Sequence, residues 1–96
     1  MFLVNLDYKC DIDKVEEYTF AHRAWLDDKF QEGKLLFSGP KKPRTGGVLV
    51  VCLTNRQQVE ELIQEDPFYQ KQIADYTITE FSLLKARREL KDFIEH

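Results

Sequence analysis

Ninety-six residues suffice for one hydrophobic core but not for two domains, and a chain this short buries only about 60–65% of its unfolded surface. Hydrophobic residues make up 43% and charged residues 32%, with a net charge of −3, so both signs are interspersed and the basic balance of a nucleic-acid binder is missing. No apolar run approaches the roughly 18 residues of a membrane span and no signal-peptide pattern opens the chain, which together predict a cytoplasmic protein.

Phe2-Leu3-Val4-Asn5-Leu6-Asp7-Tyr8 alternates with Phe2, Val4, Leu6 and Tyr8 on one face and reads as a strand. Asp13, with Glu16 three residues on, resembles a capping box opening a long helix over Asp13–Gln31, and Gly33 is the residue expected just past its end. Leu35-Leu36-Phe37-Ser38 is a second strand. Gly39-Pro40 and Gly46-Gly47 punctuate a hairpin loop before a third, Val48–Thr54, which is apolar on both faces and therefore expected to be central. Thr54 or Asn55 caps a second helix bearing Val59, Leu62 and Ile63. Asp66-Pro67 restarts a short helix, with Asp66 at the cap and Pro67 in the first turn. A final strand is predicted over Tyr76–Leu84. Residues 85–96 form a C-terminal extension to a single domain spanning 1–96, with a helix expected over Ala86–Ile94 from the spacing of Leu90, Phe93 and Ile94.

This order, with right-handed crossovers, favours an α+β fold: a ferredoxin-like βαββαβ arrangement with an antiparallel sheet and both helices on one face. The first and third strands are then adjacent, yet apolar residues occupy both of their faces. Helices cover one face, and a second copy of the sheet is the simplest cover for the other, so a homodimer is expected. The topology also sets Cys10 and Cys52 at opposite ends of neighbouring strands, too far apart to bridge, and both are read as free thiols.

One residue breaks the apolar pattern. On the long helix Val15, Tyr18, Trp25, Leu26 and Phe30 mark the core face, and His22 falls on the same stripe. A protonatable ring pointing inward must be satisfied or used. The bland account is a core histidine bonded to a backbone carbonyl. The alternative is supplied by Asp66: the second helix runs antiparallel to the first, so its C-terminal end returns beside the first half of that helix. A carboxylate accepting from one imidazole nitrogen fixes the tautomer and leaves the other free as a general base. Asp before Pro is also a routine helix cap, and the two roles are compatible.

The run Ala21-His22-Arg23-Ala24-Trp25-Leu26, then Gly33, Phe37-Ser38-Gly39-Pro40 and Pro43-Arg44-Thr45-Gly46-Gly47, followed by Glu65-Asp66-Pro67-Phe68, Ala74-Asp75-Tyr76 and Glu80-Phe81, resembles the YciI-like (YCII-related) family over roughly residues 1–85. The resemblance implies a dimeric α+β barrel whose histidine and aspartate face a cleft, roles that map onto His22 and Asp66. The sequence departs at Thr19, where many members carry arginine; Arg23 and Arg44 are the candidates to replace it in anchoring an anion. Ser38, Arg44, Trp25 and Phe68 are the candidate substrate-binding residues: a hydroxyl, a cation from the Lys41-Lys42-Pro43-Arg44 loop, and two aromatics able to line an apolar pocket. Each has a plainer reading, as a strand end, a solvated loop or core packing. With only His22 and terminal His96, no metal cluster has plausible spacing, and no cofactor is implied.

Two function classes follow. One is a small lyase- or hydrolase-type enzyme using the His22–Asp66 pair as general base on a small, aromatic or lactone-like substrate. The other is a non-catalytic small-ligand-binding or dimerisation module; a pure dimerisation module would not need the intact pair.

Overall fold

The period-two pattern at the start of the chain forms β1 (Phe2–Tyr8) in a computed structural model that describes residues 1–94. Phe2, Val4 and Leu6 are buried, while Leu3 and Asp7 on the opposite face are exposed. The long helix α1 (Ile12–Gln31) is capped two residues before the expected Asp13, at Asp11, with no side-chain cap bond. The Asp11 carbonyl instead accepts from the amides of Lys14 and Val15, and Asp13 lies in the first turn, where a negative charge suits the helix N-terminus. Gly33 follows the helix with φ +75°, a backbone angle that favours glycine.

β2 (Leu35–Pro40) and β3 (Gly46–Val51) form the hairpin, and the glycine pair expected in its loop lies inside β3. A Cβ at Gly46 would stand 1.8 Å from the Leu6 carbonyl oxygen. Glycine permits this approach of two backbones, so pairing between β1 and β3 runs from Phe2↔Val51 to Asp7↔Gly46. After α2 (Arg56–Gln64), capped by Asn55, and the single turn α3 (Pro67–Gln70), β4 covers Ala74–Glu80 rather than Tyr76–Leu84. Its limits are those of its partner: Tyr8 pairs with Ala74 and Phe2 with Glu80, so beyond Glu80 no strand remains to pair with. The tail turns helical at α4 (Arg88–Ile94). Terminal His96 lies outside the described residues.

The sheet order is β2-β3-β1-β4, antiparallel throughout, with β1 and β3 central. This is the ferredoxin-like α+β arrangement. Residues opposite one another share a face, so Phe2, Val4, Leu6, Leu49, Val51, Tyr76 and Ile78 meet the helices. Val59, Leu62 and Ile63 of α2 and Phe68 of α3 close this core. On α1 the buried stripe is Val15, Trp25 and Lys29, with Tyr18 and Leu26 half-buried and Phe30 exposed. The 3-4-3-4 spacing 15, 18, 22, 25 continues to 29, not 30. The amine that arrives there is 3.0 Å from Glu65 and 3.3 Å from Glu32.

The opposite face is mixed. Leu3, Val48, Val50 and Phe37 form its apolar part, whereas Asn5, Thr77 and Thr79 make the β4 side polar. Cys10 follows the end of β1 near Ile73, and Cys52 follows the end of β3 beside Lys34, at opposite ends of the sheet; both thiols are free.

Candidate active site

Three separate segments deliver the polar groups of the site. His22 comes from the middle of α1, Asp66 from the α2–α3 junction, and Tyr76 from β4 opposite Leu6, on the helix-covered face. The junction is shaped locally. Pro67 at the first helical position needs no amide partner, and Asp66 Oδ1 accepts the Phe68 amide at 3.0 Å, which starts α3. That cap fixes the carboxylate where α3 packs on α1. His22 Nδ1 lies 2.8 Å from the same Oδ1. Tyr76 donates its hydroxyl to Oδ2. Asp66 is fully buried, and these three groups surround it with donors, the environment an acceptor-only carboxylate requires. Burial, then the Asp66 charge and the hydrogen bond to it, hold the Tyr76 phenol well above its ordinary range, so it stays a donor.

The imidazole is fixed as a plane as well as at an atom. Phe68 stacks on it with ring centroids 4.0 Å apart and an interplanar angle of 4°, and Trp25 lies 5.8 Å away on a tilted plane. With Nδ1 committed to Asp66, Nε2 has no hydrogen-bond partner among the described residues. His22 is one wall of a cavity of about 210 Å³ between α1 and the β2–β3 hairpin.

Of the candidate binding residues, Ser38, Arg44 and Phe68 line this cavity. Ser38 opposes Leu49 on the inward face of β2. Arg44 reaches across from the hairpin loop to α1, where Nη1 donates to Glu16 and Nη2 to the Thr19 hydroxyl, both at 3.3 Å. Trp25 is not in the wall; it is buried behind the imidazole as core. Thr19 and Arg23 join the lining, which contains neither Asp nor Glu. Among the described residues no three His, Cys, Asp or Glu side chains converge as a metal site would need.

A family model for the YCII-related domain matches residues 1–82. This chain belongs to the YCII-related domain family. A similar solved structure is the 5-chloro-2-hydroxyhydroquinone dehydrochlorinase of Burkholderia phenoliruptrix AC1100, in complex with 2,5-dihydroxybenzoquinone. It superposes with a TM-score of 0.73 at 20% identity, over 84% of this chain and 92% of that one. Likeness at that identity concerns the fold. A search of the curated proteins finds no match. In this YCII-related domain the Arg44 guanidinium lies against the Thr19 hydroxyl, so a cation from the hairpin loop stands at the α1 wall of the cavity.

In the sequence Tyr76 stands only within the Ala74-Asp75-Tyr76 motif, with no role of its own. On a strand of alternating polarity a tyrosine reads as packing, and its hydroxyl acquires a partner only when the α2–α3 junction is brought over β4. Thr19 and Arg23, named in the sequence for anion anchoring, both lie in the lining; they flank the stripe on α1, and the hairpin that closes the cavity over them is distant in sequence.

Proposed function

We propose that this YCII-related domain is a small lyase- or hydrolase-type enzyme in which His22 acts as general base on a compact substrate seated in the α1–hairpin cavity. One observation carries the reading: Nδ1 of His22 is committed to a fully buried carboxylate, while Nε2 has no partner among the described residues and its ring lines the cavity. Asp66 orients the ring and would stabilise the imidazolium that forms when Nε2 takes a proton. A positioned base of this kind contributes on the order of 10²–10⁴-fold. Arg23 and Arg44 line the same cavity, Arg44 paired with Glu16 at its rim, and these cations suit a substrate that gains negative charge as it loses its proton. The apolar side chains of the lining, Leu6, Leu26 and Leu49, with the Ser38 hydroxyl among them, suit an aromatic or lactone ring. The solved dehydrochlorinase, bound to a dihydroxybenzoquinone, supports a substrate of that size and chemistry.

We further propose that the functional unit is a homodimer, formed where Leu3, Phe37 and Val48 lie on the face the helices leave open. A cytoplasmic setting accords with the two free thiols. Among the described residues no helix is long and apolar enough to cross a membrane.

The test follows deuterium uptake from D2O, and chloride release, for a panel of chlorinated hydroxyquinols and small unsaturated lactones. Wild-type protein should label or convert at least one of them, with a loss of about 10²-fold or more in His22→Ala. A panel member that binds beside His22 while neither labelling nor converting would favour the non-catalytic binding module instead.

A further inference from the structure

The mechanism above uses His22 and Asp66 and leaves Tyr76 without a task, although its hydroxyl is bound to the second oxygen of the carboxylate. Oδ1 of Asp66 is already shared between the Phe68 amide and His22 Nδ1. Two donors on one oxygen fix where that atom sits but leave the carboxylate free to turn about it. A third donor on Oδ2, anchored in the sheet, fixes the plane of the group. Tyr76 is well placed for this. Its backbone is held in the β1–β4 ladder opposite Leu6, so its position depends on neither α1 nor the α2–α3 junction. Its ring also packs edge-on against Tyr69, with centroids 5.9 Å apart.

We infer that Tyr76 is a positioning residue for the His22–Asp66 pair: by donating to Oδ2 it holds the carboxylate plane and draws off part of its negative charge, and so sets how strongly the pair takes up a proton. The inference rests on His22 being the proton-transfer group, but its readout needs no substrate. Without the phenol the carboxylate has one donor fewer in a site closed to water, its charge is less dispersed, and the pair becomes more basic as a unit. Packing alone would predict no such change.

The titratable and charged groups around His22 are Asp66 at its Nδ1 and, in the lining of the same cavity, Tyr8, Arg23 and Arg44, the last paired with Glu16. Tyr76 acts through Asp66. None of these others is altered by a change at position 76.

The experiment is an NMR pH titration of the imidazole C–H resonances in the intact chain. The sequence has two histidines, so His22→Ala assigns the signal. In Tyr76→Phe the midpoint of the pair should move upward by about one pH unit, a tenfold change in proton affinity. Site-specific 3-fluorotyrosine at position 76, nearly isosteric and a stronger donor, should move it downward. The fluorinated variant keeps the test decisive where Tyr76→Phe does not fold. Midpoints identical to wild type in every variant that folds would overturn the inference. A moved midpoint beside a His22→Ala protein that still turns over the panel substrates would instead retain Tyr76 as a tuner of the pair and remove the catalytic reading.

Discussion

His22 lies flat on Phe68, ring on ring at 4.0 Å, and the amide of that same Phe68 is the donor that Asp66 caps. The helix cap and the imidazole are therefore one construction. The carboxylate that starts α3 also holds Nδ1, and the first apolar side chain of α3 forms the surface on which the ring rests. A stacked partner and a bonded edge together leave the imidazole little freedom to turn, which is what a positioned base requires.

From this coupling, His22→Ala and Asp66→Asn should each abolish turnover of a substrate found in the panel, and the double variant should lose little more than either alone. Residues acting as a unit are strongly non-additive. Steady-state kinetics of the three proteins decide it; losses that multiply would separate the two residues.

Asp66→Ala should also cost stability independently of activity. It strips partners from the Tyr76 hydroxyl, the Phe68 amide and His22 in a fully buried site. A loss of about 1–3 kcal/mol is expected in urea unfolding, with Asp66→Asn losing less because the amide keeps one acceptor oxygen. Equal stability of Asp66→Ala and wild type would contradict the bonding scheme.

Two groups predict alkaline weakening. Tyr76 is held above its ordinary 10.0, first by burial and then by Asp66. Lys29 is also held above its ordinary 10.5: burial works against its charge, but the bonds to Glu65 and Glu32 outweigh it. Both groups keep their protons in the fold while the unfolded chain releases them, so the stabilisation is full below about pH 10 and is lost as pH rises through the raised values. The melting temperature should fall as pH rises above about 10, and fall less steeply in Tyr76→Phe. Parallel curves for the two proteins would count against the Tyr76 contribution.

Gly46→Ala should be among the most damaging single-methyl changes in the chain. The added Cβ meets the Leu6 carbonyl oxygen at 1.8 Å, and backbone on both sides is tied into the ladder. Moving either strand disturbs Gly47 and Leu6 at the cavity floor, and a loss of about 3 kcal/mol or more is expected by chemical denaturation. A variant as stable as wild type would show that β3 can shift away from β1 freely.

The proposed dimer makes a simpler prediction. Leu3 is 37% and Phe37 54% exposed on the open face of the sheet. Sedimentation at micromolar concentration should give a dimer for the wild-type chain and a monomer for the Leu3→Lys, Phe37→Lys double variant. A wild-type monomer that stays soluble without exposed-hydrophobe aggregation would sink the homodimer.

Much of this was written into local sequence. Alternation over residues 2–8, the 3-4 spacing along α1, Asn55 before α2 and Asp66-Pro67 before α3 each carry a short-range signal, because capping and side-chain facing depend on residues at most four apart. Those signals suffice for the element order, and the order with its handedness suffices for β2-β3-β1-β4. The same local logic picks His22 out of its stripe, while its pairing with Asp66 takes the antiparallel order of the helices as well. What it could not reach depends on neighbours distant in sequence. β4 stops at Glu80 because β1 begins at Phe2, and β3 begins at Gly46 because the Leu6 carbonyl passes within reach of it. Lys29, not Phe30, completes the buried stripe because Glu65 arrives from another helix. Tyr76 gains its role, Trp25 recedes into the core and Arg44 lands on Thr19 for the same reason: each is placed by a packing contact between elements, and the energy of such a contact belongs to the assembled layers rather than to any segment of the chain.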